Sequence, residues 1–500
     1  MLNLPDEILL DILEDVGYNV LLTCQQTCRR LNTLITTSVP LQYTIELAAC
    51  GMLDGERGPN TLDIHERLRL LVLYDEAWRK LDWTRYSGLT HLVDRMLPLS
   101  VAGTALVLPS AIDILPGHPA PLLIQRLPSF LCGVEEQHNP FARLFPRFTR
   151  FDASQDLCVG LDIPSTHPTN GQCCLLSILT GDPHPLAHNG GALELGHAVL
   201  LDLCGDYLLE SHYNSESLWI SLTDYYPGAR SQAYWDHRGW FLDDKHILLD
   251  IRLFHGRSSH AKCLFVVPFR HRSDGDAPVY MFSLPELLSS VDRSWGYIIP
   301  GRASGPLHPG HFHADPDERL ISMYCVVLNR DQSTRYFVVD IPVQTFISYV
   351  RAHPAAAGQH VAVPWDAWGT HGARVMLMPT YCRQNGMLVS GMRRIDVPVH
   401  APYAVTVVDY HPRRVARAIA REDPAVVHGA FVDTEKERLG EGGLRTLLPC
   451  IVTKIPLPDG PARCVQQGRP LSVWFDQNGV LFVETARMDR RVENVWAYTI

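Results

Sequence analysis

The first fifty residues carry four short runs in which apolar positions recur at helical spacing. In the first, Ile8, Leu9, Ile12, Leu13 and Val16 fall at i, i+1, i+4, i+5 and i+8, one face of a helix. Pro5 suits the first helical position, where a missing N–H costs nothing. Asp6 and Glu7 follow in the first turn, where the helix dipole favours negative charge. Gly17 marks the expected end. Asn19 is expected to cap a second helix, Val20 to Gln26, and Thr27 a third that carries Leu31, Leu34 and Ile35. A fourth is expected from Val39 to Cys50, with Gly51 as its stop. Each large aliphatic side chain buried is worth roughly 1.5–3 kcal/mol. Helices this small cannot bury all of theirs among themselves. The surplus points either to a partner surface or to docking on the rest of the chain, and spacing alone leaves both open.

Residues 51 to 61 are polar and glycine-containing and lead into a longer amphipathic helix. Asp63 is its expected N-cap, with Glu66 at capping-box distance. Ile64, Leu68, Leu71, Trp78 and Leu81 form the apolar stripe. Arg67, Arg69, Asp75, Glu76, Arg79 and Lys80 are assigned to the polar side. Trp78 and Trp83 are the expected anchors on whatever follows.

After about residue 85 the helical period fades. Runs rich in β-branched and aromatic residues alternate with Pro, Gly, Asn and Asp. Strands are expected at 198–203, 207–210, 217–222, 246–254, 262–269, 279–284, 320–328, 335–341, 375–378, 387–390, 472–475, 480–485 and 492–500. Asn385-Gly386 and Asn478-Gly479 read as hairpin turns, because a type I′ turn needs positive φ at both central residues. Only brief helices are expected between strands, such as 285–291. About twenty strands without long crossover helices argue against a parallel α/β fold. An all-β fold of this size must hide its edges, and a propeller with four strands per blade does so in six or seven blades of about 60–70 residues. Two stacked β domains are the alternative. The expected organisation is therefore α+β multidomain: a small all-α unit at 1–51, a linker with its helix at 52–84, and a large all-β, propeller-like domain at 85–500.

Composition narrows the class. Of 500 residues, 46% are hydrophobic and 20% charged, enough for a sizeable core. The net charge of −10 argues against a nonspecific nucleic-acid partner. The thirteen cysteines are odd in number and scattered in apolar runs such as Cys173-Cys174-Leu175-Leu176, as buried thiols of a reducing compartment would be. No signal peptide or membrane-length apolar run is read, so a cytoplasmic or nuclear location, away from membranes, is expected.

Three features invite chemistry. The segment from His308 to Glu318 sets His311 and His313 two apart, one face of a strand, with carboxylates nearby. Its Pro, Gly and Asp content reads instead as a surface loop, so no metal is assigned. Ser258-Ser259-His260 lacks a nucleophile elbow. No phosphate-binding glycine loop is present. No catalytic residue and no cofactor are therefore assigned. Loop aromatics often form recognition surfaces. Tyr226, Trp235, Trp365 and Trp368 are the expected substrate contacts, the last two in an expected loop Trp365-Asp366-Ala367-Trp368-Gly369.

The N-terminal pattern resembles an F-box. Leu4-Pro5-x-Glu7-Ile8 followed by Ile12-Leu13 is similar to the family's opening, and Leu21-Leu22, Cys28-Arg29 and Leu34-Ile35 are similar to its second half. Thr27 and Leu31 stand where the family often has an aliphatic residue and a Trp. The resemblance covers about a tenth of the chain. It implies that Leu4, Pro5, Glu7, Ile8, Ile12, Leu13, Leu21, Leu22, Leu31 and Leu34 bind the Skp-type adaptor and, through it, the cullin of a cullin–RING ubiquitin ligase. The remainder would select a protein substrate without doing covalent chemistry. Leu41-Gln42-Tyr43, Glu46-Leu47-Ala48, Trp78-x3-Asp82-Trp83 and Leu179-Thr180-Gly181-Asp182-Pro183-His184-Pro185 further resemble mushroom-type fungal F-box proteins. Two rivals stay open: a β-propeller or β-sandwich hydrolase with a helical appendage, and an F-box interaction protein that assembles no ligase.

Overall fold

A computed structural model gives the fold. It describes residues 4–55, 62–81, 86–88, 100–102, 105–109, 122–126, 129, 131–133, 137–141, 148–152, 155–162, 171–185, 187, 192–195, 198–205, 207–212, 216–221, 233–234, 237–251, 263–269, 278–285, 295–300, 310–328, 334–378, 387–397, 404–428, 431–432, 445–476, 479–485 and 492–499.

Four helices open the chain: α1 (Asp6–Glu14), α2 (Tyr18–Thr27), α3 (Arg29–Thr37) and α4 (Val39–Cys50). Leu13, Leu21, Ile35, Leu41 and Ile45 form their common core. Pro5 precedes α1 by one residue instead of starting it. Two expected caps are corrected. Asn19 lies inside α2, whose N-cap is Gly17. Thr27 ends α2, and its hydroxyl donates to the Cys24 carbonyl at 2.8 Å, so it is spent backwards and Cys28 precedes α3. Gly51 closes α4 at φ 63°, as expected.

The linker helix α5 (Ile64–Lys80) starts where Asp63 accepts from the Glu66 N–H at 2.9 Å. Its buried face is Leu70, Leu71, Tyr74 and Trp78, with Ile64 and Leu68 partly covered. Tyr74 meets Phe312 edge-on at 5.5 Å, and Trp78 meets Phe475 at 5.9 Å. Arg67, assigned to the polar side, is instead 4% exposed. It pairs with Asp54 at 2.6 Å and donates to the His311 carbonyl, so a buried cation is compensated by groups distant in sequence. Trp83 lies outside the described residues.

Beyond the linker the described residues are mostly strands, in several small sheets. Seven of four or five strands follow in chain order. The first holds Ser100–Ala102, Ala105–Pro109, Leu122–Arg126 and Gln137–Phe141. The second holds Phe148–Asp152, Leu157–Asp162, Gly171–Ser177 and Ala192–Leu195. The third holds Ala198–Cys204, Tyr207–His212, Glu216–Ser221 and Ala233–Tyr234. The fourth holds His237–Phe241, His246–Ile251, Cys263–Pro268 and Val279–Ser283, with His360–Val363 added in parallel. The fifth holds Trp295–Pro300, Leu320–Leu328, Thr334–Pro342 and Arg374–Met378. The sixth holds Met387–Ser390, Arg393–Asp396, Ala404–Asp409 and Cys450–Pro456, with Val426–Val427 at its edge. The seventh joins Leu471–Asp476, Gly479–Thr485 and Val492–Thr499 to Tyr86–Gly88 from the start of the β-rich part.

The strand expectations at 320–328, 335–341, 480–485 and 492–500 match these elements within one residue or two. Gly479 opposes Asp476 in the expected hairpin. The other Asn-Gly expectation is corrected. Arg374–Met378 pairs with Thr334–Pro342, whereas Met387–Ser390 pairs with Arg393–Asp396, so the chain passes from one sheet to the next there. Helices Val343–Ala352, Trp365–Gly372, Pro412–Ala420 and Asp459–Gln466 also intervene. The helix expected at 285–291 lies outside the described residues after Pro285. Among the described residues, no helix is long and apolar enough to cross a membrane.

Candidate partner-binding surface

The period of α1 sorts its residues by side. Leu9 and Leu13 point into the helical core at 2% and 5% exposure. Leu4, Ile8 and Ile12 face outward at 36%, 45% and 37%, and Val20 of α2 is exposed as well, at 50%. Large aliphatic side chains left in water at this spacing make an apolar patch on a small unit. Arg30 of α3 holds its near end in place. Its guanidinium donates to the Leu4 carbonyl at 2.6 Å and to the Asp6 carboxylate at 2.9 Å. Asp6, Glu7 and Asp11 border the patch with negative charge and are exposed.

The ten residues assigned to adaptor binding therefore divide. Leu4, Pro5, Glu7, Ile8 and Ile12 are exposed and share α1 and its approach. Leu22, Leu31 and Leu34 are half-buried. Leu13 and Leu21 are core residues and cannot meet a partner without unfolding the unit. The substrate aromatics fare worse. Trp365 and Trp368 open a helix instead of a loop. Trp368 is 4% exposed, its ring packed at 5.5 Å from Phe282 and its indole N–H donating to the Ser283 carbonyl at 3.1 Å. A side chain so enclosed is part of the core, which corrects its assignment to a recognition surface. Tyr226, Trp235 and Ser258-Ser259-His260 lie outside the described residues.

His311 precedes and His313 lies within the short strand Phe312–Ala314, which pairs antiparallel with Met52–Asp54 just after α4. The expected surface loop is thus a strand whose backbone receives the linker: the Gly55 N–H donates to the His311 carbonyl at 3.1 Å. Among the described residues no three His, Cys, Asp or Glu side chains are grouped to hold a metal ion.

Two polar clusters missed by sequence reasoning lie at this end of the molecule. The first joins α4 to the segment Asp409–Asp423. Arg417 grips Glu46 with two bonds of 2.8 and 2.9 Å. Arg414 donates to the Cys50 carbonyl at 2.8 Å and pairs with Asp409 at 2.8 Å, and Arg393 meets Asp409 at 3.0 Å. Burial alone would raise the Asp409 carboxyl, but Arg414 and Arg393 outweigh it and hold it down to about 2. His411 pairs with Glu318 beside Gly51. Burial and the neighbouring Arg414 cation lower the His411 pKa against the pull of Glu318. The second cluster ties the fifth sheet to the sixth. The Asp340 carboxylate, wholly buried, accepts from Ser322, Arg394 and the Tyr410 hydroxyl, while Arg394 also meets Asp396 at 2.9 Å. Burial raises the Asp340 pKa against the opposing pull of Arg394. In both clusters the charged groups are matched internally, which is the arrangement of struts.

Residues 1–41 match the F-box-like family model. F-box domains generally bind Skp-type adaptors, and such a domain suggests, in general, the role of a substrate adaptor of the SCF type, typically a non-catalytic one. No curated protein matches the chain. Among solved structures it is similar to Hsv2 of Kluyvelomyces marxianus at 6% identity, over 79% of this chain and 93% of that one, with a TM-score of 0.36. It is also similar to the uncharacterized protein lmo1340 of Listeria monocytogenes EGD-e at 6% identity, over 62% and 91%, with a TM-score of 0.28. The N-terminal domain of Nup159 gives 9% identity over 63% and 73%, with a TM-score of 0.26.

Proposed function

We propose that this chain is the substrate-recognition subunit of an SCF-type cullin–RING ubiquitin ligase. The patch of Leu4, Ile8, Ile12 and Val20 binds a Skp-type adaptor, and the adaptor brings the cullin. The β-rich part holds a protein substrate. The mechanism is proximity: a tethered substrate meets the ubiquitin donor at a raised effective concentration. The observation that carries this reading is the outward-facing apolar patch on an F-box-like domain, held in place by Arg30.

We read the β-rich part as a seven-bladed propeller. Seven sheets in chain order support this, as does the seventh, whose outer strand Tyr86–Gly88 comes from the opposite end of the β-rich part. Radial arrangement with such a shared sheet leaves few open edges. Buried thiols such as Cys132 and Cys450 suit the reducing cytosol or nucleus, where such ligases would act.

The test is co-purification of the full chain with a Skp-type adaptor and its cullin. Capture of both supports the ligase reading. Capture of the adaptor without the cullin favours an interaction protein outside a ligase. A well-folded chain that captures neither reduces the patch to an ordinary surface feature.

A further inference from the structure

The unit formed by α1–α3 has a core of its own, made with Leu41 and Ile45 of α4. Tyr43, Leu47 and Cys50, on another face of α4, belong to a different core, shared with α5 and the sixth and seventh sheets. The strut between the two is one helix, and a single helix leaves a pivot about its own axis. Something must set that angle. The segment Asp409–Asp423 meets the strut from the side, more than 350 residues later in the chain.

Three arginines make the contact. Arg417 grips Glu46 in the middle of α4. Arg413 donates to the Ala48 carbonyl and Arg414 to that of Cys50, supplying cations at the negative end of the helix dipole. The Arg413 guanidinium also lies over the Tyr18 ring at 3.3 Å, so the same side chain touches α2 on the far side of the pivot. The fit is close. A Cβ on Gly51 would meet the His411 ring at 2.9 Å, and Gly51 already stands at φ 63°. On the linker side, Arg79 of α5 pairs with Asp423 at 3.2 Å.

We propose that Asp409–Asp423 is an orienting clamp, in which Arg413 and Arg417 are positioning residues that fix the angle of the F-box-like unit on the β-rich part. None of the clamp's contacts is made by Leu4, Ile8, Ile12 or Val20. The clamp does not rest on the function proposed above.

Two readouts on the full chain test it. Hydrogen exchange of the 39–51 amides reports how often α4 leaves the clamp. Fluorophores placed by non-natural amino acids at Asn32 and Asp366, both exposed, report the angle as a distance distribution. Arg417→Ala together with Arg413→Ala should lower protection of 39–51 about tenfold, the loss of a charge-assisted pair, with protection of 320–342 unchanged. The distance distribution should broaden. The swap of Glu46→Arg with Arg417→Glu should restore both, which a general loss of stability would not allow. Unchanged protection, a distribution that stays narrow, or a swap no better than Arg417→Glu alone would each overturn the clamp. None of these outcomes depends on adaptor binding, so failure of the ligase reading would be seen separately.

Discussion

Ile8→Asp is the sharpest probe of the apolar patch. Complete burial of a large aliphatic side chain is worth roughly 1.5–3 kcal/mol. Leu4, Ile8, Ile12 and Val20 still expose between 36% and 50% of their surface. A partner that covers them therefore gains about 0.5–1.5 kcal/mol from each. Ile8→Asp forfeits about 1 kcal/mol of this and buries a carboxylate without a partner, which adds about 2 kcal/mol. The sum is on the order of a hundredfold in Kd. The change faces solvent in the free protein, so the melting temperature should move by no more than a surface substitution allows, within about 0.5 kcal/mol of stability. Leu21→Asp makes the contrast, because a charge at a 0% exposed core position unfolds the unit instead of weakening a contact. Titration calorimetry of the full chain with a Skp-type adaptor reads the first effect, and a circular-dichroism melt reads the second. Binding by Ile8→Asp within about threefold of the parent, with an unchanged melt, would refute the assignment of this face.

Other expectations follow from the interior. Arg394→Ala strands Asp340 and Asp396 in the core and should cost about 3–5 kcal/mol in thermal denaturation, while replacing Arg394 and Asp340 together by Met and Leu should recover only the part due to Asp340, because Asp396 still lacks its arginine. Trp368→Ala should cost about 3–5 kcal/mol and leave adaptor affinity unchanged, because the ring packs among Phe282, Phe346 and Trp365. Asp409 titrates at about 2 in the fold against an ordinary 3.8, so its stabilisation is fully present above pH 4 and is lost as the pH falls from about 4 towards 2. Denaturant midpoints across that window should drop more for the parent than for Asp409→Asn, with a difference of about 2 kcal/mol.

Much of the helical unit was legible because single residues decide its features. Gly51 stops α4 and Asp63 starts α5 through local backbone geometry that no distant contact alters. The apolar stripe of α1 was equally plain, but spacing alone did not separate Ile8 and Ile12, which face out, from Leu13, which faces in. That division depends on where α3 and α4 lie. Arg67 was misassigned for the same reason: its partners Asp54 and the His311 carbonyl are brought together only by the fold. The helix Val343–Ala352 did carry a signal, since Val343, Phe346, Ile347 and Val350 follow helical spacing after Pro342. Its β-branched content and the strand before it hid the period. The clamp was not legible at all, because Arg417 and Glu46 are 371 positions apart.

The seventh sheet sets a timetable for synthesis. The F-box-like unit leaves the ribosome before the β-rich part and has a core it can close by itself. The apolar face of α5 does not: Tyr74 waits for Phe312, Trp78 waits for Phe475, and Tyr86–Gly88 waits for Val492–Thr499. At about 5–20 residues per second, the 400 intervening residues take on the order of 20–80 s. For that time the nascent chain displays an apolar patch and an uncovered aromatic helix together, the kind of transiently exposed surface that chaperones cover.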